Sequence, residues 1–356
     1  MNKLLFIGHS YHIKTKSSDF IEKMLSNTYH VDKIFEDSWE HGGLSIDYAA
    51  IDIEQYDAIV IWQIIELLPR SFIKKISKVN TTYFPMENYH WGWDKWRKYK
   101  NLKIISFSLY NYTKLANWGL DVSYFQYFPK PEIRTDKPFK KRKFKYFFWQ
   151  RLNYFNWNNI KKYVPLNSIE QFILHNAPDP GHKFIEPNEE DKINYRIRVT
   201  SWFAKKEDLM KLIDGCDIYI APRNLEGIGM SFLEAMARGK VIIAIDAPTM
   251  NEYIINNKNG YLLKIEDNRE IDLLNIESIR KESIRSICEG YNKWEKDKGT
   301  ILDIIARKKR STTSIKITKV EIGYMLFEIK KISIKIIKNA LPRIFIDLYH
   351  KYYAKS

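Results

Sequence analysis

The strongest constraint on this chain is a rhythm. Short apolar runs of strand length alternate with helical patterns, and they do so in two successive series. Parallel strands need a crossover between them, usually a helix, so this alternation predicts an α/β protein with parallel sheets. The first series places strands at 3–8, 57–62, 81–85 and 103–107. The second places them at 144–149, 169–174, 196–200, 217–221, 241–245 and 261–263. Between the two series stand a proline-bearing stretch, 125–132, and a charged run, 134–143, which together read as a boundary. The expected organisation is an N-terminal domain over 1–133, a C-terminal domain over 134–305 and a separate tail over 306–356. Residues 283–305 read as a helix.

Composition bounds the rest. A chain of 356 residues that is 45% hydrophobic can bury two cores. Cys216 and Cys288 are its only cysteines, so no disulfide framework is implied and a reducing cytoplasm suits it. The apolar stretch 1–8 is too short for a signal peptide and reads as a first buried strand. No run approaches the ~20 apolar residues of a membrane-spanning helix. The net charge is +15, and residues 307–356 hold 13 lysines and arginines against three acidic residues, so two thirds of the excess sits in the tail. A diffuse basic surface would point to nucleic acid. A basic tail on a near-neutral body points instead to an anionic membrane surface. Apolar residues at Ile322, Met325, Leu326, Ile329, Ile332, Ile336 and Ala340 keep helical spacing in it, and Pro342 would end or kink the helix. The tail is therefore expected on the cytoplasmic face of a membrane. The alternative is a tail that packs its stripe on the N-terminal domain.

The chemistry concentrates in residues 225–239, LEGIGMSFLEAMARG, which read as loop then short helix, with a buried strand following. Gly227 and Gly229 remove side chains where backbone amides could approach a ligand. The helix that follows points its positive end at the same place, which suits phosphate. Glu226 lies before the helix and Glu234 about one turn inside it, so they can grip two parts of one long ligand. A nucleotide-sugar has that layout. Ser231 and Glu234 also fit a capping box, and Gly239 an ordinary helix-ending glycine.

This segment resembles the E-x7-E signature of retaining glycosyltransferases with the GT-B fold, especially family 4. Residues 217–222 resemble the strand before that motif, and 251–254 with 259–263 the stretch after it. The resemblance implies two Rossmann-like domains facing across a cleft, with a last helix that often crosses back to the N-terminal domain. It also implies roles. Glu226 would contact the donor sugar and Glu234 the ribose, while backbone amides of Gly227, Ile228, Gly229, Met230 and Ser231 would face the diphosphate. An arginine opening the C-terminal domain, here Arg151, would hold that diphosphate, as a forked guanidinium can. The family usually carries a lysine five residues later; this chain has Asn156 there, so Lys205 or Lys206 is the candidate substitute.

The N-terminal domain would bind the acceptor. Ligands of open α/β sheets sit beyond the carboxyl ends of strands, which here offer His9, Ser10, Gln63, Glu66, Glu87, His90, Ser108 and Tyr110. His90, within an aromatic loop that resembles the histidine-bearing loop near the sugar in relatives, is the catalytic candidate beside Glu226. Many family members have a glycine pair after the first strand; this chain has His9-Ser10-Tyr11-His12. No metal-ligand spacing, D-x-D tripeptide, phosphate loop or nucleophile elbow is present. The expectation is a metal-independent, cofactor-free glycosyltransferase that moves a sugar from a nucleotide donor to a glycan or lipid-linked acceptor with retention, in bacterial surface polysaccharide or lipid-linked glycan assembly. It is expected in the cytoplasm, peripheral on the inner face of the cell membrane. The rivals are a silent GT-B subunit, a nucleotide-sugar hydrolase or epimerase, and a nucleic-acid-binding protein.

Overall fold

The computed structural model describes residues 1–86, 91–133 and 143–308. Glu87, His90 and nearly all of the basic tail lie outside the described residues, and with them the expectations placed on them.

Two six-stranded sheets, each wholly parallel among its described pairs, follow one another in the chain. The first contains β1 (Asn2–His9), β2 (Tyr29–Glu36), β3 (Ala58–Trp62), β4 (Thr81–Phe84), β5 (Lys103–Ser106) and β6 (Val122–Tyr124), in the order β2-β1-β3-β4-β5-β6. The second contains β7 (Phe144–Gln150), β8 (Ile169–Asn176), β9 (Ile197–Ser201), β10 (Ile218–Ile220), β11 (Val241–Ile245) and β12 (Tyr261–Leu263), in the order β12-β11-β10-β7-β8-β9. Central strands covered on both faces should be uninterrupted apolar runs. β3 (AIVIW) and β11 (VIIAI) are, and every one of their residues is buried.

Two strands lacked that signal. β2 (YHVDKIFE) is an edge strand with only its end residues buried, and charges stand among its apolar positions. β6 is three half-buried residues at the other edge.

One apolar cluster joins the sheets. It includes Phe6, Trp62 and Phe107 of the first sheet, Phe147 and Phe148 of the second, and Tyr127, Phe128 and Trp294 between them. Trp294 meets Tyr127 with ring centroids 5.2 Å apart, and Phe128 meets Tyr253 at 5.1 Å. Burying aromatic area on this scale makes the interface between the sheets an extension of the core.

Trp294 belongs to the helix Ile276–Ala306, which starts seven residues before the expected point and crosses back to the first sheet. Its last carbonyls need partners, because a helix end leaves four without an intrahelical donor. Lys103 Nζ donates to Ile304, Ile305 and Arg307 carbonyls, each at 2.7 Å. Asn80 Nδ2 donates to Ile305 and Ala306 at 3.0 and 3.1 Å. Arg307 then forks onto Asp121 at 2.7 and 2.9 Å.

Candidate functional site

Strand order locates the site. In the first sheet the chain leaves β1 for β2 on one side and returns to β3 on the other. In the second, β7 has β8 on one side and β10 on the other. Crevices open beyond the carboxyl ends of strands where the order reverses in this way. The two crevices face each other and form one cleft. Tyr11, His12, Trp62 and Gln63 line it from the first sheet, and Arg151, Arg223 and the loop from Glu226 line it from the second. It encloses about 270 Å³, near the lower end of ordinary ligand pockets, roughly 300 Å³.

The glycine loop is built as the sequence requires. Gly229 has φ +80° and is the N-cap of the helix Met230–Ala237. An added Cβ there would lie 2.0 Å from the Phe232 ring. Gly227 approaches Met86 across the cleft, so closely that a Cβ would sit 2.9 Å from the Met86 Cβ. Ile228, Met230 and Ser231 complete the lining of this wall. Because the helix starts at Met230, Ser231 is its second residue and does not cap it, so the capping box does not form. Glu234 is tied to Lys206 instead, Nζ to Oε1 at 2.6 Å. Gly239, with φ +73°, follows the helix end as an ordinary terminator does.

Glu226 is 7% exposed and lines the cleft. Its carbonyl accepts from Thr249 Oγ1 at 2.8 Å. Thr249 is itself fully buried and has φ +74°, ψ −55°, a strained turn that persists only when its surroundings hold it. The holder is Glu252. Its carboxylate accepts from Thr249 N at 3.1 Å, then reaches the first sheet's side: Ser108 Oγ at 3.0 Å, Leu109 N at 2.7 Å, Tyr110 N at 3.3 Å and Tyr124 Oη at 3.2 Å. Leu109 and Tyr110 open the helix Leu109–Asn117, so a carboxylate from the second half of the chain satisfies the first amides of a helix in the first. Glu252→Ala should lower stability by about 2–3 kcal/mol, since several donors lose a charged acceptor. Urea unfolding checks this, and an unchanged midpoint would remove the clasp from the account.

Arg151 lies directly after β7. Its Nε and Nη2 both donate to Asp179 Oδ1 at 2.8 Å, and its guanidinium stacks 4.9 Å from the Trp149 ring centroid. Arg223, just beyond β10, pairs with the other oxygen of Asp179. Neither Asp179 nor Arg223 is among the residues that the sequence singles out. Arg151 is marked by resemblance alone, yet Arg223 follows a strand of the same sheet as Arg151 does, and that position is the signal that could have found it. Asn156 is the N-cap of the helix Trp157–Ile160, where its side chain accepts from Asn158 N at 2.9 Å. Lys205 and Lys206 line the cleft, Lys205 as the residue before the helix Lys206–Asp214.

On the first sheet's side, burial and the neighbouring His9 push His12 down to about 4, so its imidazole is neutral at pH 7. His12 Nδ1 contacts Ser17 Oγ. Burial and then Asp179 raise the Tyr11 hydroxyl, with Arg151 and Arg223 opposing, so Tyr11 faces that cluster across the cleft. Ser108 belongs to the Glu252 clasp, and Glu66 forms a surface pair with Lys95 at 3.4 Å. Among the described residues, no group of three or more His, Cys, Asp or Glu is placed to hold a metal ion. Among the same residues, no helix is long and apolar enough to cross a membrane.

Comparison with known proteins bears on the family and the fold. Residues 130–293 match the family described as glycosyl transferases group 1. The UDP-N-acetylglucosamine–peptide N-acetylglucosaminyltransferase GtfA subunit of Streptococcus gordonii is 32% identical over 91 residues, 24% of this chain and 18% of that protein. The N,N'-diacetylbacillosaminyl-diphospho-undecaprenol alpha-1,3-N-acetylgalactosaminyltransferase of Campylobacter jejuni is 31% identical over 70 residues, 20% of this chain and 19% of that protein. The chain thus spans about a fifth of the length of each curated relative. Among solved structures, Anabaena Alr3699/HepE in complex with UDP and glucose superposes over 85% of this chain and 100% of its own, with a TM-score of 0.56 and 14% identity. The fold is GT-B.

Proposed function

We propose, from the match of residues 130–293 to the group 1 glycosyl transferases, that this protein moves a sugar from a nucleotide-sugar to an acceptor hydroxyl with retention of configuration. One observation carries the reading. The cleft between the two switch points brings together a buried carboxylate, Glu226, a helix N-terminus opened by two glycines, and two arginines. Each part matches one part of the donor. Glu226 holds the sugar hydroxyls as charge develops at the anomeric carbon. The amides from Gly227 to Ser231 and the helix dipole stabilise the departing diphosphate, and the arginines add full charge. Glu234, oriented by Lys206, holds the ribose. No side-chain nucleophile is needed: a donor phosphate oxygen takes the acceptor proton on the same face. The neutral His12 and Gln63 lie on the wall where the acceptor would enter.

We propose a UDP-sugar as donor and a lipid-linked glycan as acceptor. The Anabaena protein was solved with UDP, the Streptococcus protein is named for a UDP-linked donor, and the Campylobacter protein for an undecaprenol-linked acceptor. The basic tail from 307 to 356 would hold the protein at an anionic bilayer, its placement being cytoplasmic and peripheral. The deciding experiment incubates the full chain with a panel of UDP-sugars and undecaprenyl-diphosphate-linked acceptors in EDTA, beside anionic vesicles. Sugar transfer with retained configuration supports the reading, and co-sedimentation of the full chain but not of 1–306 supports the membrane role. Release of free sugar alone would make this a hydrolase. Activity restored only by Mg²⁺ or Mn²⁺ would refute metal independence.

A further inference from the structure

We infer that Arg223 is the second phosphate-binding cation of the cleft. It does with Arg151 what a lysine at position 156 does elsewhere in the family, and Asp179 sets the angle between the two guanidiniums. The inference rests on the nucleotide-sugar reading. It begins with adjacency. β7 and β10 are hydrogen-bonded neighbours, with Phe148 opposite Ile220, and Arg151 and Arg223 stand just beyond their carboxyl ends. Both side chains are less than one fifth exposed, and both line the cleft. Arg223 also precedes Glu226 by three residues, so it lies on the loop that carries the glycine amides.

Charge then discriminates. Asp179 is 7% exposed and is bonded by both arginines, so the trio carries a net charge of +1 inside the cleft. Its backbone N donates to the Arg151 carbonyl at 2.9 Å, which fixes the carboxylate relative to β7. One guanidinium has five N–H donors, enough to serve a carboxylate and a phosphate together. A diphosphate brings at least two negative charges, which one arginine already shared with Asp179 balances poorly. The other candidates are worse placed. Asn156 is uncharged and its oxygen caps a short helix. Lys206 is committed to Glu234, and Lys205 is exposed at the mouth. Lys14, on the opposite wall, is exposed and lies over the Trp202 ring, so Arg223 is the half-buried cation that remains.

The test is calorimetric titration of the full-length protein. Wild type is first titrated with UDP, GDP and ADP, and the diphosphate that binds is carried forward with its nucleoside. Arg151→Ala, Arg223→Ala and Arg223→Lys follow, with Arg223→Gln as a milder variant should the alanine form not fold. Loss of Arg223 is expected to weaken the diphosphate roughly 10- to 100-fold, as for a charge-assisted bidentate contact, and the nucleoside less than about 3-fold. Arg223→Lys should recover part of the loss. Unchanged diphosphate affinity, or equal losses for diphosphate and nucleoside, overturns the assignment. If wild type binds none of the three diphosphates, the nucleotide-sugar reading falls and this inference with it. If Arg151→Ala shows the selective loss and Arg223→Ala does not, the inference alone falls.

Discussion

Glu226→Gln is expected to lower the rate of sugar transfer by roughly 10²- to 10³-fold, the cost of removing one positioned group that acts where charge develops. The substitution keeps size and one hydrogen-bonding oxygen but removes the negative charge that, on the proposed reading, stands nearest the anomeric carbon. The backbone should stay in place, because the carbonyl of residue 226 is held by the Thr249 hydroxyl whatever the side chain is. The unfolding midpoint should therefore move little while kcat collapses. A Gln variant that keeps near-normal kcat would remove Glu226 from the reacting centre. A variant that loses both rate and stability would make it a structural carboxylate.

Gly229→Ala is expected to cost about 3 kcal/mol or more of stability. Two penalties add. At φ +80° an L-residue pays about 1–2 kcal/mol against its own carbonyl. The new methyl would also sit 2.0 Å from the Phe232 ring. That ring is fully buried and packs on Tyr253 with centroids 5.9 Å apart, so it cannot swing away, and overpacking of this kind costs about 1–3 kcal/mol. Urea unfolding measures the loss, and nucleotide affinity should fall as the amides of the loop turn from the cleft. An unchanged midpoint would mean that the loop does not have this geometry.

What the sequence disclosed and what it concealed divide along physical lines. Central strands such as β3 and β11 are buried on both faces, and that burial is written directly into composition. An edge strand such as β2 is only half-buried over most of its length, so charged and apolar residues mix in it. The Glu226–Gly229 loop was legible because glycine at a forced backbone angle has few other reasons to be there. The Arg151–Asp179–Arg223 trio was half legible. Its arginines follow strands, but Asp179 comes from 28 residues beyond Arg151 and 44 before Arg223, and nothing local marks such a meeting. Glu252 shows the same limit more sharply. Its local pattern matched the flank of a motif, while its bonds run 142 to 144 residues back to the helix from Leu109.

The seating of the helix Ile276–Ala306 on Lys103 has a geometric consequence for any tether. Lys103, Asn80 and Asp121 all stand at the amino ends of their strands, whereas the cleft opens beyond the carboxyl ends. The chain therefore departs at residue 308 from the pole opposite the mouth. The height between the poles is that of β1, eight residues, or about 26 Å at ~3.3 Å per residue. A tail that grips a bilayer and also presents the mouth to it must first spend about eight extended residues climbing back. The 48 residues after 308 supply that length several times over, so a tail that did anchor the protein would divide into a leash and a grip.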